Sequence, residues 1–464
     1  MVEVTGLFGY MDHVIRVRPD SPTILTAPNG AGKTHILMLV RAGLSLDVKS
    51  LASLPFSKLT LTMSDKISIS ISRHISVESG TELSIVLKRG RVKLEGPVTV
   101  VEADLEAEEA GLPSHIRQFP DGRLYDARSD RYVSKEIVER KYGSKVFAPL
   151  SSKFGKYPVL RRFSDDLNPI FIDTKRLDVA FAAENSAAFY GARNDRSRIG
   201  LGSGSDSINR VSPISQYIDR IRTQVSEARR NSIRATQSAD VNFAQRAIDA
   251  ANDTVRISDL KMQDRYSYIV KKYEELSSNG LAVGDQPIEF PQKSSATIRR
   301  ILNIFLDDWE QRLTPLFPLN EKLRVLRSIL DTKLEGSGKK TSMGPQGDLR
   351  FIAMRTGKPV KVSSLSSGEQ HLVALFTLLL FGTKQGSIVM IDEPEISMHA
   401  AWKHAFLDDI ELVSEVVDIQ VLIATHSTSI INGRWSLAEE LNFSPDRAPL
   451  NLDSQEDEEA DLVD

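Results

Sequence analysis

Four short clusters hold the residues of this chain whose types and spacing suit chemistry. Residues 27–34 read APNGAGKT, which departs from the phosphate-loop pattern G-x-x-x-x-G-K-[ST] only in placing Ala27 where the first glycine usually stands. Gly30 and Gly32 free backbone N–H groups to turn inward around phosphate oxygens. Asn29 and Ala31 complete the loop, Lys33 supplies a cation for the β and γ phosphates, and Thr34 offers a hydroxyl to a divalent metal. Residues 387–394 read SIVMIDEP, an apolar strand ending in paired carboxylates. There Asp392 suits holding a metal through water, and Glu393 suits polarising an attacking water. Residues 421–427, VLIATHS, bring His426 to the end of another apolar strand, a place where a histidine on its own is more often a packed core residue. Residues 365–370 read LSSGEQ. Ser366 and Ser367 stand at a helix cap, Gly368 permits close backbone approach, Glu369 falls in the first turn and Gln370 follows. Alone, that segment is simply a good helix start.

The elements around these clusters are short and regular. Val2–Thr5, His13–Arg18 and Thr23–Thr26 are β-branched and bounded by turn residues, so each is predicted as a strand, with the helix HILMLVRAGL following the loop after the third. Lys58–Lys88 alternates at period two with breaks at Ser64-Asp65 and Ser79-Gly80, which predicts an antiparallel β subdomain. Val100–Ala110 is expected to be an acidic helix, Asp121–Lys135 a hairpin and Pro169–Ile172 a strand. Arg193–Asn209 is rich in Gly, Ser and charge and is expected to be a linker. Ser215–Leu276 is charged, nearly free of Pro and Gly, and carries Ile218, Ile221 and Val225 at helical spacing. A second helical stretch, Ser295–Leu334, leads through the loop GSGKKTSMGPQGD to a strand FIAMR. The expected organisation is therefore an N-terminal lobe over 1–192, a helical insertion over 193–340, a C-terminal lobe over 341–450 and a mobile acidic tail over 451–464.

Composition narrows the chemistry. The 464 residues include 59 Lys plus Arg, 62 Asp plus Glu and no Cys, with a formal charge of −3. Thiol nucleophiles, disulfides and Cys-ligated metals are excluded, and a reducing, cytoplasmic setting fits. At 41% hydrophobic and 26% charged the chain is expected to be a soluble globular protein of two to three domains. The longest apolar stretch, Leu372–Phe381, is ten residues, short of the roughly 18 to 20 a membrane span needs. MVEVTGLFGY lacks a basic n-region, so no signal peptide is expected. Near-neutral charge predicts no whole-molecule field for nucleic acid.

The order APNGAGKT, LSSGEQ, IDEPE, THS resembles the ABC-type ATPase head shared by the SMC and Rad50 proteins and the overcoming-lysogenization-defect-like ATPases. The resemblance implies an α/β fold: a mixed β sheet with flanking helices, an antiparallel β subdomain and an inserted helical, short coiled-coil-like domain. It implies ATP and Mg²⁺ as cofactors, hydrolysis through Glu393 and His426, and metal binding by Thr34 and Asp392. It further implies a composite site, in which Ser366, Ser367, Gly368, Glu369 and Gln370 of one subunit complete the nucleotide site around Lys33 of another. The 359 residues between Lys33 and Asp392 match the branch whose ATPase halves flank a large insertion. DEPEISMH resembles that branch's D-loop through Glu395 and His399. No clear Q-loop glutamine is present; DTKRL follows the strand PIFI instead, which assigns Asp173, Lys175 and Arg176 to the γ-phosphate side. His399 and His404 stand five apart, a poor spacing for a shared metal.

Within that superfamily the chain most resembles stand-alone ATPases of bacterial anti-phage systems that work with a separate nuclease. Only 38 residues follow His426, where a small nuclease domain needs roughly 100, so any effector is expected on another polypeptide. The resemblance to the phage anti-restriction-induced systems implies a homo-oligomer of ATP-bridged dimers, up to a hexamer. Such an assembly would hold a Toprim-type effector nuclease and release it on detecting a phage-encoded trigger, such as an acidic DNA mimic. Two alternatives stay open: a Septu-type ATPase with an HNH partner, and a Rad50-like repair head binding duplex DNA through Arg220, Arg222, Arg229, Arg230 and Arg234.

Overall fold

The structure is a computed structural model. It describes residues 1–28, 30–76, 80–101, 115–118, 124–126, 128, 131–133, 137–138, 141, 156–167, 169–173, 213–282 and 295–441. The expected acidic helix beyond Val101, the linker, Asn29, Lys175, Arg176 and the acidic tail lie outside these residues.

The chain forms two compact units, one of residues 1–204 with 384–414 and 418–464, the other of residues 205–383 with 415–417. In the first, the strands β1 (Val2–Leu7), β2 (Met11–Ile15), β4 (Lys58–Thr62), β5 (Ile67–Ser76), β6 (Gly80–Arg89) and β7 (Val92–Val101) form a six-stranded antiparallel sheet ordered β2-β1-β4-β5-β6-β7. The period-two pattern is realised in β5: Ile69 and Ile71 are fully buried, while Ser70 between them pairs with Thr60 on the other face. Strand β8 (Ile116–Gln118) pairs antiparallel with β9 (Leu124–Asp126), and β9 forms a hairpin with β10 (Arg131–Val133) where one was expected.

The second strand is shifted from expectation, covering Met11–Ile15 rather than His13–Arg18. Register is the cause: Val2 pairs with Ile15, so the ladder ends where β1 begins. Arg18 then donates its backbone N–H to Thr23 Oγ1 at 2.8 Å as the chain turns into β3 (Thr23–Thr26).

That third strand belongs to a separate, wholly parallel sheet ordered β11-β15-β16-β3-β17, with β11 Ile170–Asp173, β15 Ile388–Asp392, β16 Gln420–Ala424 and β17 Ala438–Glu440. Its central strands are continuous apolar runs, as sheets covered on both faces require. Helix α1 (Lys33–Ser45) follows β3 and buries Ile36, Leu37, Leu39, Val40 and Leu44 in a core shared with the antiparallel sheet. At about 25 cal/mol per Å² of apolar surface, each such side chain contributes about 1.5–3 kcal/mol.

The second unit contains the long helices α4 (Pro213–Asn252), α5 (Asp259–Ser278), α6 (Ala296–Leu313) and α7 (Phe317–Leu334), with α2 (Val48–Ser53) and α3 (Pro158–Asp166) preceding them in the first unit. Ser258 and Ser295 cap α5 and α6 by accepting from the N–H groups of Lys261 and Ile298. The segment read as a loop before FIAMR holds a strand: β12 (Lys339–Met343) pairs antiparallel with β13 (Leu349–Ala353) and contributes Thr341 to the interior, and β13 pairs in turn with β14 (Pro359–Val360). Helix α8 (Ser367–Gly382) follows, with Leu372–Phe381 buried throughout. Among the described residues, no helix is long and apolar enough to cross a membrane.

Candidate functional site

The parallel sheet brings the ends of four strands to one edge. At their C-terminal ends stand the phosphate-loop segment after Thr26, Asp173, Asp392, and Ala424 leading to Thr425 and His426; Asp173 and Asp392 are register partners. In open α/β sheets this carboxyl edge is where ligands bind.

The loop geometry follows from its glycines. Gly30 and Gly32 have φ of 86° and 85°, a region where L side chains are strained. At Gly32 a Cβ would also stand 2.6 Å from Leu7 Cδ2 and 3.3 Å from Phe8 Cε2. The β1–β2 turn therefore closes over the loop, with Phe8 packing edge-on to His35 at 4.8 Å between centroids. Helix α1 begins at Lys33 with no side-chain cap and no acidic residue in its first turn, which leaves its N–H groups and positive dipole end to an anion.

Lys33 is buried, and its Nζ donates to the carbonyls of Ala27 at 2.7 Å and Pro28 at 3.3 Å. Burial pushes its pKa down, and Glu393, Asp392 and Glu395 partly oppose that. Its neighbour Thr34 donates from Oγ1 to Asp392 Oδ2 at 2.9 Å, spanning 358 residues of sequence. A hydroxyl beside a carboxylate, both oxygen donors, suits Mg²⁺.

Glu393 follows in the left-handed region at φ 46°, a conformation that costs a non-glycine residue about 1 kcal/mol. Its backbone N–H donates to Ala424 O at 2.9 Å, which pins the turn to the neighbouring strand. His426 Nδ1 lies 3.9 Å from Glu393 Oε1, and His426 Nε2 lies 3.9 Å from Glu395 Oε1. Glu395 is buried; its Oε1 accepts from Thr425 Oγ1 at 2.7 Å and from the His426 N–H at 3.3 Å. His426 is thus bracketed by two carboxylates, one of them anchored. Thr425 had no signal in the sequence beyond its place in THS. His399 instead caps its own short helix at the Ala401 N–H, and His404 pairs with Asn432.

In the second unit Ser366 caps α8 and forms a reciprocal capping box with Glu369: Ser366 Oγ accepts from the Glu369 N–H, and Glu369 Oε2 accepts from the Ser366 N–H at 2.7 Å. Gln370 Nε2 donates to Leu365 O at 2.9 Å. Glu369 also accepts from Lys339 Nζ at 2.8 Å on both oxygens and from Ser337 Oγ at 2.6 Å. Burial pushes the Glu369 carboxyl up, but Lys339, Ser337 and the Ser366 N–H outweigh it and hold the pKa below the ordinary value. Lys339 and Ser337 stand 30 and 32 residues before Glu369, beyond the reach of local sequence pattern.

A lowered carboxylate pKa stabilises the folded state fully above the ordinary value of 4.5, and the contribution is lost as pH falls through the lower folded value. Glu369→Gln is therefore expected to cost about 2 kcal/mol near neutrality, since it leaves Lys339 without its charged partner. It should also flatten the acid limb of a stability profile followed by thermal melting. An unchanged acid limb would contradict this assignment.

The structure consumes most of the five arginines considered for DNA. Arg229 donates to the carbonyls of Gly280 and Pro345, Arg222 to Gln346, and burial lowers the pKa of Arg220. Arg230 and Arg234 are exposed.

The family described as "AAA domain, putative AbiEii toxin, Type IV TA system" matches residues 23–432. The chain belongs to this family. As an AAA-family chain it is an ATPase of the ABC type at the level of its family. No curated protein matches it significantly. Among solved structures it is similar to the Smc head domain of Pyrococcus furiosus with an extended coiled coil, bound to the C-terminal domain of ScpA, at 12% identity over 93% of this chain and 90% of that one, TM-score 0.31. It is likewise similar to the SMC head domain from Thermotoga maritima, at 11% identity over 94% and 91%, TM-score 0.32.

Proposed function

We propose that the chain binds ATP with Mg²⁺ at the carboxyl edge of the parallel sheet and hydrolyses it to ADP and phosphate. The contact between Thr34 and Asp392 carries this reading, because it joins the phosphate loop to the acidic strand end beside an uncapped helix N-terminus. Lys33 and the N–H groups of Asn29–Thr34 hold the phosphates, and Thr34 and Asp392 hold the metal, whose contribution is to neutralise charge on the phosphates. Glu393 accepts a proton from the attacking water, and His426 orients that water or the terminal phosphate. Asp173, Lys175 and Arg176 flank the γ-phosphate side. Ser366–Gln370 serve a second copy, so that ATP bridges a homodimer of two-lobed ATPase heads. In that arrangement Ser366 and Gly368 present the helix start to the phosphate, while Glu369, already engaged by Lys339, fixes the cap.

The wider role we propose is that of an oligomeric sensor and scaffold in anti-phage defence, like AriA, the ATPase of the phage anti-restriction-induced system PARIS. It would retain a separate effector nuclease, of Toprim type, and release it on meeting a phage-encoded protein. The order of motifs together with the helical insertion supports this reading. The test is to purify the chain co-expressed with its genomic neighbour. A nuclease-sized partner that co-purifies with the wild type is the expected result. A partner that is a membrane permease, or a chain that purifies alone and shifts duplex DNA, would overturn it in favour of transport or a repair-type head.

A further inference from the structure

Glu395 lies in the short turn Pro394–Ser397 that follows Glu393, and it is only 7% exposed. Its Oε1 accepts from the Thr425 hydroxyl at 2.7 Å and from the His426 N–H at 3.3 Å. The Thr425 oxygen, its proton directed at Glu395, accepts in turn from the Ser427 N–H at 3.0 Å. Thr425 is fully buried, and its own N–H donates to Leu25 O at 3.2 Å, on the strand that leads into the phosphate loop. The N–H groups of Thr425, His426 and Ser427 are therefore all held: the first by β3, the second by Glu395, the third by the hydroxyl that Glu395 orients.

The imidazole itself is held by neither carboxylate, because 3.9 Å from Nδ1 to Glu393 and from Nε2 to Glu395 is too long for a hydrogen bond. The His426 side chain is 43% exposed, so little packing restrains it. What fixes its place is the backbone beneath it. The Glu393 N–H bonds to Ala424 O, and Glu395 bonds to the next two residues, so one turn is stitched to three successive residues at the exit of β16. Those stitches set the separation between Glu393 and His426. The other oxygen, Glu395 Oε2, is buried without a hydrogen-bond partner among the described residues. A carboxylate buried half-satisfied costs the fold free energy, and folding alone gives no reason to keep it.

We propose that Glu395 is the positioning residue of His426, acting through the hydrogen bonds that its Oε1 accepts from Thr425 and His426 rather than through its charge. This rests on the hydrolytic reading above and deepens it: Glu393 and His426 face the reacting water correctly only while Glu395 ties their two backbone segments together.

The test is steady-state ATP turnover by the full chain, combined with amide hydrogen exchange of the nucleotide-free protein. Glu395→Ala is expected to lower kcat about 10–100-fold, the loss for a displaced reacting group, with KM within about two-fold. Glu395→Gln keeps an acceptor oxygen and should restore most of kcat. Thr425→Val, which removes only the hydroxyl, should fall between them. In the His426→Ala background no imidazole remains to be positioned, so Glu395→Ala should slow turnover no further. Exchange at His426 and Ser427 should quicken in Glu395→Ala and stay slow in Glu395→Gln, and melting of each variant verifies the fold. Equal slowing by Glu395→Ala with and without His426, a Glu395→Gln variant as slow as Glu395→Ala, or a rise in KM at unchanged kcat overturns the proposal. A wild type that turns over no ATP while these amides stay protected fails differently: it removes the hydrolytic reading, and the positioning role with it, but leaves the bonds in place.

Discussion

Glu393→Gln is expected to slow ATP turnover by about 10²–10⁴-fold, the range for loss of a general base, while leaving ATP affinity within a few-fold. The geometry explains why the effect splits in this way. Glu393 sits after the metal-side carboxylate on a turn held by the Ala424 carbonyl and by a left-handed backbone, and glutamine fits the same volume and conformation. The phosphate loop and the Thr34–Asp392 contact remain. With binding intact and hydrolysis stalled, nucleotide-bridged dimers should accumulate, visible as a heavier species in ATP than in ADP. A variant that turns over ATP at the wild-type rate would remove Glu393 from the chemistry and point to His426 or Glu395.

Lys33→Ala is expected to weaken ATP binding about 100-fold, the loss of charge-assisted hydrogen bonds to phosphate in a buried site. The nucleotide-free protein should not be weakened to match. Burial lowers the lysine's pKa, so its charge is held at a cost in the folded state. A lysine with a depressed pKa favours the folded state less as pH drops below its ordinary value, so removing that charge relieves a penalty. Melting without nucleotide should therefore stay near the wild type, and the rise in melting temperature that ATP gives the wild type should vanish. Retained ATP stabilisation in this variant would place the nucleotide elsewhere.

What the sequence reveals of this site depends on whether a constraint is local. Gly30 and Gly32 are legible because the backbone turn demands positive φ within a few residues of Lys33, and the strand–loop–helix order is written in one continuous stretch. Asp392 is legible because a buried strand ending in two carboxylates is rare without a role. The partner of Glu369 is not legible: Lys339 lies in KKTSM, a polar run flanked by glycines that reads as a loop and becomes a strand only by pairing with Leu349–Ala353. The shift of β2 has the same origin, since antiparallel register with Val2–Leu7 ends the ladder at Ile15 irrespective of the β-branched residues beyond it. The role of Arg229 on α4 is equally hidden, because the carbonyls of Gly280 and Pro345 that capture it come from two segments, 51 and 116 residues further along the chain.

Release of phosphate from ATP by the purified full chain, in excess Mg²⁺ and again with the metal chelated, tests the central claim most directly. The account predicts metal-dependent release whose rate per subunit rises with protein concentration, because a second copy completes each site, and which Glu393→Gln abolishes. Release that persists at the same rate without metal, or no release at any concentration that permits dimers, would contradict it.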